Sequence, residues 1–183
     1  MISVPTLYTC GHSNREPGRL LEMLRWQGIG RLIDIRRYPV SRRHPGFTRE
    51  IFQPWLESAG IRYQWEGEML GGRRTARQDS PHSALAEDLR GFADHMESQG
   101  FIRLAGVLVR MAAMERIALM CSERLPEHCH RTLVADYLFA NGCRIVHLID
   151  EGEAREHRLH PRAVRVGDTV VYNREMTLPL DLG

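Results

Sequence analysis

Along residues 6–150, apolar runs of strand length alternate with segments whose apolar residues fall at helical spacing. No other feature of the chain restricts its fold as much. The strand-length runs are 6–9, 31–35, 61–65, 115–120 and 144–149. Helical spacing separates them: one helix before Gly28, one from Phe47-Thr48 to Gly60, two between Ala84 and Met114, and one from near Cys129 to Ala140. Such alternation predicts an α/β fold with a mainly parallel sheet and helices on both faces, a Rossmann-like three-layer arrangement. At 183 residues, one domain over 1–183 is expected.

Several local expectations follow. Ser13 or Asn14 is expected to cap the first helix, whose Leu20, Leu21, Leu24 and Trp26 share a face. Pro54 predicts an irregular or late-starting second helix. Residues 69–81 read as loop, Gln99-Gly100 as the break between the paired helices, and 157–172 as a hairpin around Gly167-Asp168.

Charge enters through its type and placement. The net charge is only +2, which excludes a strongly basic nucleic-acid binder, yet all 25 cationic residues are arginine. Each is a planar fork able to grip an anion with two donors. Five lie between Arg31 and Arg43 against one acid, Asp34. No apolar run approaches the roughly 18 residues of a membrane span, and no signal peptide opens the chain. A cytoplasmic protein without a membrane partner is the default expectation. The four cysteines do not make a disulfide framework, and Cys10 and Cys143 read as buried small hydrophobes.

The richest stretch is Cys121–Arg131, CSERLPEHCHR. It reads as a loop from the carboxyl end of a strand to a helix start, a position where open α/β sheets place chemistry. There Cys121 becomes a candidate nucleophile, favoured as thiolate by the helix start and Arg131. Cysteine phosphatases and sulfurtransferases follow the same logic with more compact loops. Glu123 is a candidate acid or base, or an orienting partner for His130. A metal held by Cys121, Cys129 and His130, with His12 or His128 as fourth ligand, is a further reading. The chain lacks the short C-x₂-C spacing of structural zinc, so no metal or cofactor is assigned. A reversible Cys121–Cys129 disulfide is also open.

In a parallel sheet the loops after the strands emerge on one edge, so distant residues converge. His12, Ser13 and Asn14, then Asp34, Arg36, Ser41 and Arg42, then Arg73, and finally Cys129 and Arg131 make up the expected substrate- or anion-binding set. Asp34 reads equally as a structural partner of an arginine. Phosphate is the commonest ligand for converging arginines, which points to a phosphorylated molecule or a nucleic acid. Tyr38, Phe47, Tyr63 and Trp65 could stack on a base or belong to the core.

GHSN at 11–14, D-x-R-x-x-P-x-S-R at 34–42, Pro45 with Phe47, LGG at 70–72, and C-x-E…C-H-R at 121–131 together resemble the domain-of-unknown-function 488 family. The resemblance covers about residues 6–150 and leaves 151–183 as an extension. It implies an α/β domain with a polar site built from these motifs, and it implies no reaction. Two positions depart from the family pattern, Cys10 and His44, and the first departure argues against a required role for that thiol. An enzyme with a cysteine- and arginine-lined anion pocket is the leading expectation. The alternatives are a non-catalytic nucleic-acid-binding or adaptor module, or a metal-stabilised fold.

Overall fold

The computed structural model describes residues 4–175. Its main sheet holds β1 (Thr6–Gly11), β2 (Arg31–Asp34), β3 (Arg62–Trp65), β4 (Ile117–Cys121), β5 (Arg144–Asp150) and β6 (Glu153–Glu156). Their order is β3-β2-β4-β1-β5-β6, parallel except for β6, which pairs antiparallel with β5 at the edge. A separate hairpin joins β7 (Ala163–Val166) to β8 (Thr169–Tyr172). The helices are α1 (Pro17–Trp26), α2 (Arg49–Ser58), α3 (Gly67–Leu70), α4 (Glu87–Met96), α5 (Gln99–Met114) and α6 (Arg131–Ala140).

Strand side chains alternate between faces, and the core divides accordingly. Leu7, Ile33 and Leu119 pack under α4, α5 and α6 through Phe92, Phe101, Leu108 and Leu133. Their neighbours Tyr8, Leu32 and Met120 face α1 and α2, meeting Leu20, Leu24, Phe52 and Leu56. Helices therefore cover both faces of the sheet, as the β/α alternation predicts.

Four local expectations change. Helix α1 begins at Pro17, with Glu16 at its cap and no side-chain capping bond. The fixed φ of proline suits a first helical position, and Ser13 is instead in the left-handed region at φ 52°. Trp26 is 45% exposed while Met23 is buried, because residue 26 sits about 120° round the helix from Leu20. The break between α4 and α5 falls at Ser98, whose hydroxyl accepts the Phe101 amide at 3.3 Å, so Gln99-Gly100 open α5. Pro54 lies inside α2 without ending it, since the carbonyl it leaves free belongs to the exposed first-turn residue Glu50. The hairpin around Gly167 is present, with φ 60° at that glycine.

Connectivity fixes where a ligand can enter. From β1 the chain leaves through α1 towards β2, whereas from the adjacent β4 it leaves through α6 towards β5. The carboxyl ends of β1 and β4 thus diverge, and open α/β sheets form their crevice at such a switch point. Among the described residues no helix is long and apolar enough to cross a membrane.

Candidate functional site

The two diverging strands stay paired past their ends. The His12 amide donates to the Cys121 carbonyl at 3.0 Å, and the Ser13 amide to that of Ser122 at 2.8 Å. This holds His12 beside Cys121. Gly11 makes the approach possible, because a Cβ there would come 1.7 Å from the Glu123 carbonyl oxygen.

A cleft of about 430 Å³ opens above these ends. His12, Arg36, Ser41, Arg73, Cys121, Glu123, Cys129 and His130 of the expected set line it. An adjoining recess of about 360 Å³ shares His12, Ser41 and Glu123 and adds Ser13 and Arg42. Three expected residues lie elsewhere. Asn14 is exposed outside both hollows, Asp34 is buried beneath Arg36, and Arg131 is buried behind the cleft.

Arg36 is occupied by the protein itself. Its Nε donates to Asp34 Oδ1 at 2.9 Å and its Nη2 to Asp34 Oδ2 at 2.5 Å and the Phe47 carbonyl at 2.8 Å. Tyr63 donates its hydroxyl to the same carboxylate at 2.6 Å. The remaining Nη1 lies 3.3 Å from His12 Nε2. Burial, reinforced by that guanidinium, pushes His12 down to about 4. At neutral pH the ring is therefore uncharged, and the tautomer that fits has Nδ1 donating to the Ser13 carbonyl at 2.9 Å. Stacking on Phe47 at 4.4 Å holds it in the wall.

The sulfur chemistry sits opposite. Cys129 is extended and precedes α6, so its thiol reaches back and donates to Cys121 Sγ at 2.9 Å. His130 Nδ1 lies 3.6 Å from Cys129 Sγ and 3.9 Å from Cys121 Sγ. The Arg131 amide donates to Cys129 Sγ at 3.4 Å. The next two amides of α6 return to the Cys129 and His130 carbonyls. The helix start thus stabilises sulfur instead of presenting an open cradle of amides.

The Cys129 hydrogen bond pulls the Cys121 thiol well below its ordinary range, against burial, with His130 and Arg131 adding to the pull. Cys129 moves the opposite way, raised by the same bond and by burial. Both shifts favour the proton on Cys129 and negative charge on Cys121. Arg131 explains why that charge is tolerable. It is fully buried, donates Nη2 to the Arg124 carbonyl at 3.1 Å, and has no partner for Nε or Nη1 among the described residues. An unpaired buried cation is costly, and the Cys121 thiolate is the anion within its influence. Cys10, by contrast, is pushed up to about 12 by burial, as an inert core thiol should be.

Cys121, Cys129 and His130 also offer three ligand atoms within 4.8 Å of one another, a set suited to a soft cation such as zinc. The Arg131 charge behind them opposes a divalent cation and favours a single thiolate. A second cluster of this kind, His82, Asp94 and Glu97, is chemically different. His82 Nδ1 accepts the Tyr172 amide at 3.3 Å, so its proton sits on Nε2, facing Glu97 Oε1 at 3.5 Å. No lone pair is left there for a metal.

Tyr38 and Gly72 also line the cleft, together with Arg37, Val40, Asp88, Leu89 and Ser122, five residues that no sequence pattern singles out for a site. Tyr38 is the aromatic left available for stacking at 64% exposed, because Phe47 and Tyr63 are buried and Trp65 lies under Arg49. Arg42 and Arg73 are exposed and form no ion pair or side-chain hydrogen bond among the described residues.

Residues 16–138 match the family described as Domain of unknown function DUF488. No curated protein and no solved structure matches the chain.

Proposed function

The chain belongs to the DUF488 family, and from the geometry of its cleft we propose that it is an enzyme whose Cys121 thiolate attacks a phosphate-bearing, anionic substrate. The observation that carries this reading is Cys121 on the cleft wall, its sulfur 2.9 Å from a donating thiol and backed by a buried guanidinium that has no carboxylate partner among the described residues. Burial alone would keep a thiol protonated, and the surroundings of Cys10 do so. At Cys121 the donors and the Arg131 charge outweigh burial and leave a nucleophile at neutral pH.

Substrate binding falls to cations that have no side-chain partner among the described residues. Arg73 at the cleft and Arg42 in the adjoining recess are such residues, and Arg37 lines the same opening. Arg36 and Asp34 act as a frame that fixes His12 and the 36–47 loop, and Arg131 acts through Cys121. Ser41 and Ser13 offer hydroxyls to a substrate oxygen. Glu123, exposed at the rim, is placed to exchange a proton with a leaving group. Tyr38 beside these arginines supports a nucleotide or nucleic acid as the phosphate carrier, and it equally supports a binding module that lacks chemistry.

Alkylation separates the readings. At neutral pH, iodoacetamide should modify Cys121 before Cys129, Cys143 or Cys10, and inorganic phosphate should slow it. Iodoacetate, which carries the charge of the proposed ligand, should gain in relative rate, and the gain should vanish in Arg73→Ala with Arg42→Ala. If no thiol reacts until the protein unfolds, the nucleophile must be abandoned. Oligonucleotide binding that survives Cys121→Ser with every thiol inert would establish the binding module instead. Protection of both thiols until a chelator is added would establish a metal site.

A further inference from the structure

We propose that Cys121 and Cys129 form a peroxide-responsive redox pair, closing reversibly to a disulfide that switches the cleft off. The inference rests on the thiolate reading of Cys121 and adds a modification site and a regulator to it. Both residues are free thiols with sulfurs 2.9 Å apart, in direct contact without a bond. They come from different elements, the end of β4 and the loop before α6. Closure to bonding distance needs a movement of about 0.9 Å, towards an S–S bond near 2.0 Å. Both residues line the cleft, so a small oxidant entering it comes up against them.

The two cysteines already hold the unequal roles that oxidation requires. The Cys121 thiolate attacks one oxygen of a hydroperoxide, forming an S–O bond as the O–O bond breaks. The departing alkoxide or hydroxide takes a proton and leaves as alcohol or water. Cys121 is then a sulfenic acid, oxidised by two electrons. Cys129 next attacks the Cys121 sulfur, its thiol proton leaving with the displaced hydroxide as water, and the S–S bond replaces the S–O bond. A thiol in contact resolves the sulfenic acid before a second peroxide arrives.

Arg131 decides that the bond should be reversible. In the reduced state its buried charge has the thiolate as its anion, whereas a disulfide is neutral and leaves the guanidinium uncompensated. Stabilising the reduced form raises the reduction potential of a disulfide, the property of labile and regulatory bridges. Cys10 and Cys143 are buried among apolar neighbours and take no part.

The test treats the full chain with stoichiometric hydrogen peroxide, then blocks remaining thiols and cleaves after arginine. Arg124 lies between the two cysteines, so a disulfide joins two peptides that otherwise separate. The expected result is that joined pair, a loss of two hydrogens from the intact mass, and full return of Cys121 alkylation after dithiothreitol. Cys129→Ser should instead stop at a sulfenic acid on Cys121, and a second equivalent of peroxide should carry it to sulfinic acid, whereas Cys143→Ser should behave as the wild type. Irreversible Cys121 oxidation in the wild type, or a bridge to another cysteine, overturns the proposal. If Cys121 alkylates rapidly yet no bridge forms, the redox pair fails while the nucleophile stands. If Cys121 ignores both reagents, both readings fall.

Discussion

Asp34 and Arg36 are two residues apart in sequence, yet their side chains close a doubly hydrogen-bonded pair in the core at the end of β2. The carboxylate also accepts the Arg36 amide at 3.0 Å and the Tyr63 hydroxyl at 2.6 Å. It thereby anchors β3 and the loop that carries Tyr38, Arg42 and Phe47. Removing one member leaves the other buried and charged, a change that costs about 3–5 kcal/mol. Asp34→Ala should lower the unfolding free energy measured by urea titration by that amount. Tyr63→Phe removes a single donor and should cost about 1–3 kcal/mol. An Asp34→Ala protein of unchanged stability would show that the pair does not hold the loop.

Acid should loosen the fold through buried histidines. His12 is held near 4 by burial and Arg36, and His147 near 3 by burial and His157. In the unfolded chain both titrate near 6.5. Their folded values are depressed, so between these limits the unfolded state binds more protons and stability falls as pH falls. Above pH 6.5 the contribution is complete; it erodes from there down to pH 4 and below. Each group can contribute on the order of 3 kcal/mol, at about 1.4 kcal/mol per unit. Urea midpoints measured across that range should decline, and His12→Asn should flatten the decline. A flat profile in the wild type would contradict the buried neutral rings.

The tail after β5 should be part of the folding unit. Asp136 on α6 is fully buried and accepts three hydrogen bonds, from His157 Nε2 at 3.0 Å, the His160 amide at 2.9 Å and the Tyr172 hydroxyl at 2.9 Å. All three donors lie in 157–172, outside the stretch that matches the family. A chain ending at residue 156 would leave this carboxylate bare in the core. Truncation there should yield insoluble or molten protein, whereas Tyr172→Phe should fold with a loss of about 1–3 kcal/mol. A stable, cooperative 1–156 fragment would refute the argument.

What was legible in the sequence follows from the range of the interactions involved. Alternating strand and helix periods announce β1 to β5 and their parallel pairing, because burial on two faces leaves its mark residue by residue. The meeting of His12, Ser41 and Cys121 is legible for the same reason, since parallel strands send their loops to one edge. Contacts that depend on side-chain direction are not. Arg131 reads as a cleft residue from its place in CHR, but it turns inward because it is in the first turn of α6, packed behind Gly11. Asp34 reads as the partner of some arginine and Arg36 as an anion ligand, and only the folded side chains show that the two readings meet in one pair. The His147–His157–Asp136 chain has no local pattern, since it joins strand, loop and helix through tertiary packing alone.

Gly72 offers a way to isolate the contribution of His130 without deleting any polar group. A Cβ added at Gly72 would come 2.9 Å from His130 Nδ1, 3.0 Å from its Cγ and 3.4 Å from its Cβ, with no other residue among its three nearest contacts. The backbone φ there is not in the left-handed region, so alanine is permitted at that residue and the ring must move. Nδ1 then leaves its position 3.6 and 3.9 Å from the two sulfurs. The 2.9 Å hydrogen bond from Cys129 to Cys121 and the charge of Arg131 do not involve that ring. Gly72→Ala should therefore fold with stability within about 1 kcal/mol of wild type. The pH midpoint for alkylation of Cys121 should rise but stay below that of an ordinary thiol. His130→Ala should reproduce the shift, and combining the two should add nothing, because both remove the same contact. If Gly72→Ala leaves the midpoint unchanged while His130→Ala raises it, the ring acts on the sulfur without needing this contact. If neither variant moves it, Cys129 and Arg131 account for the whole activation.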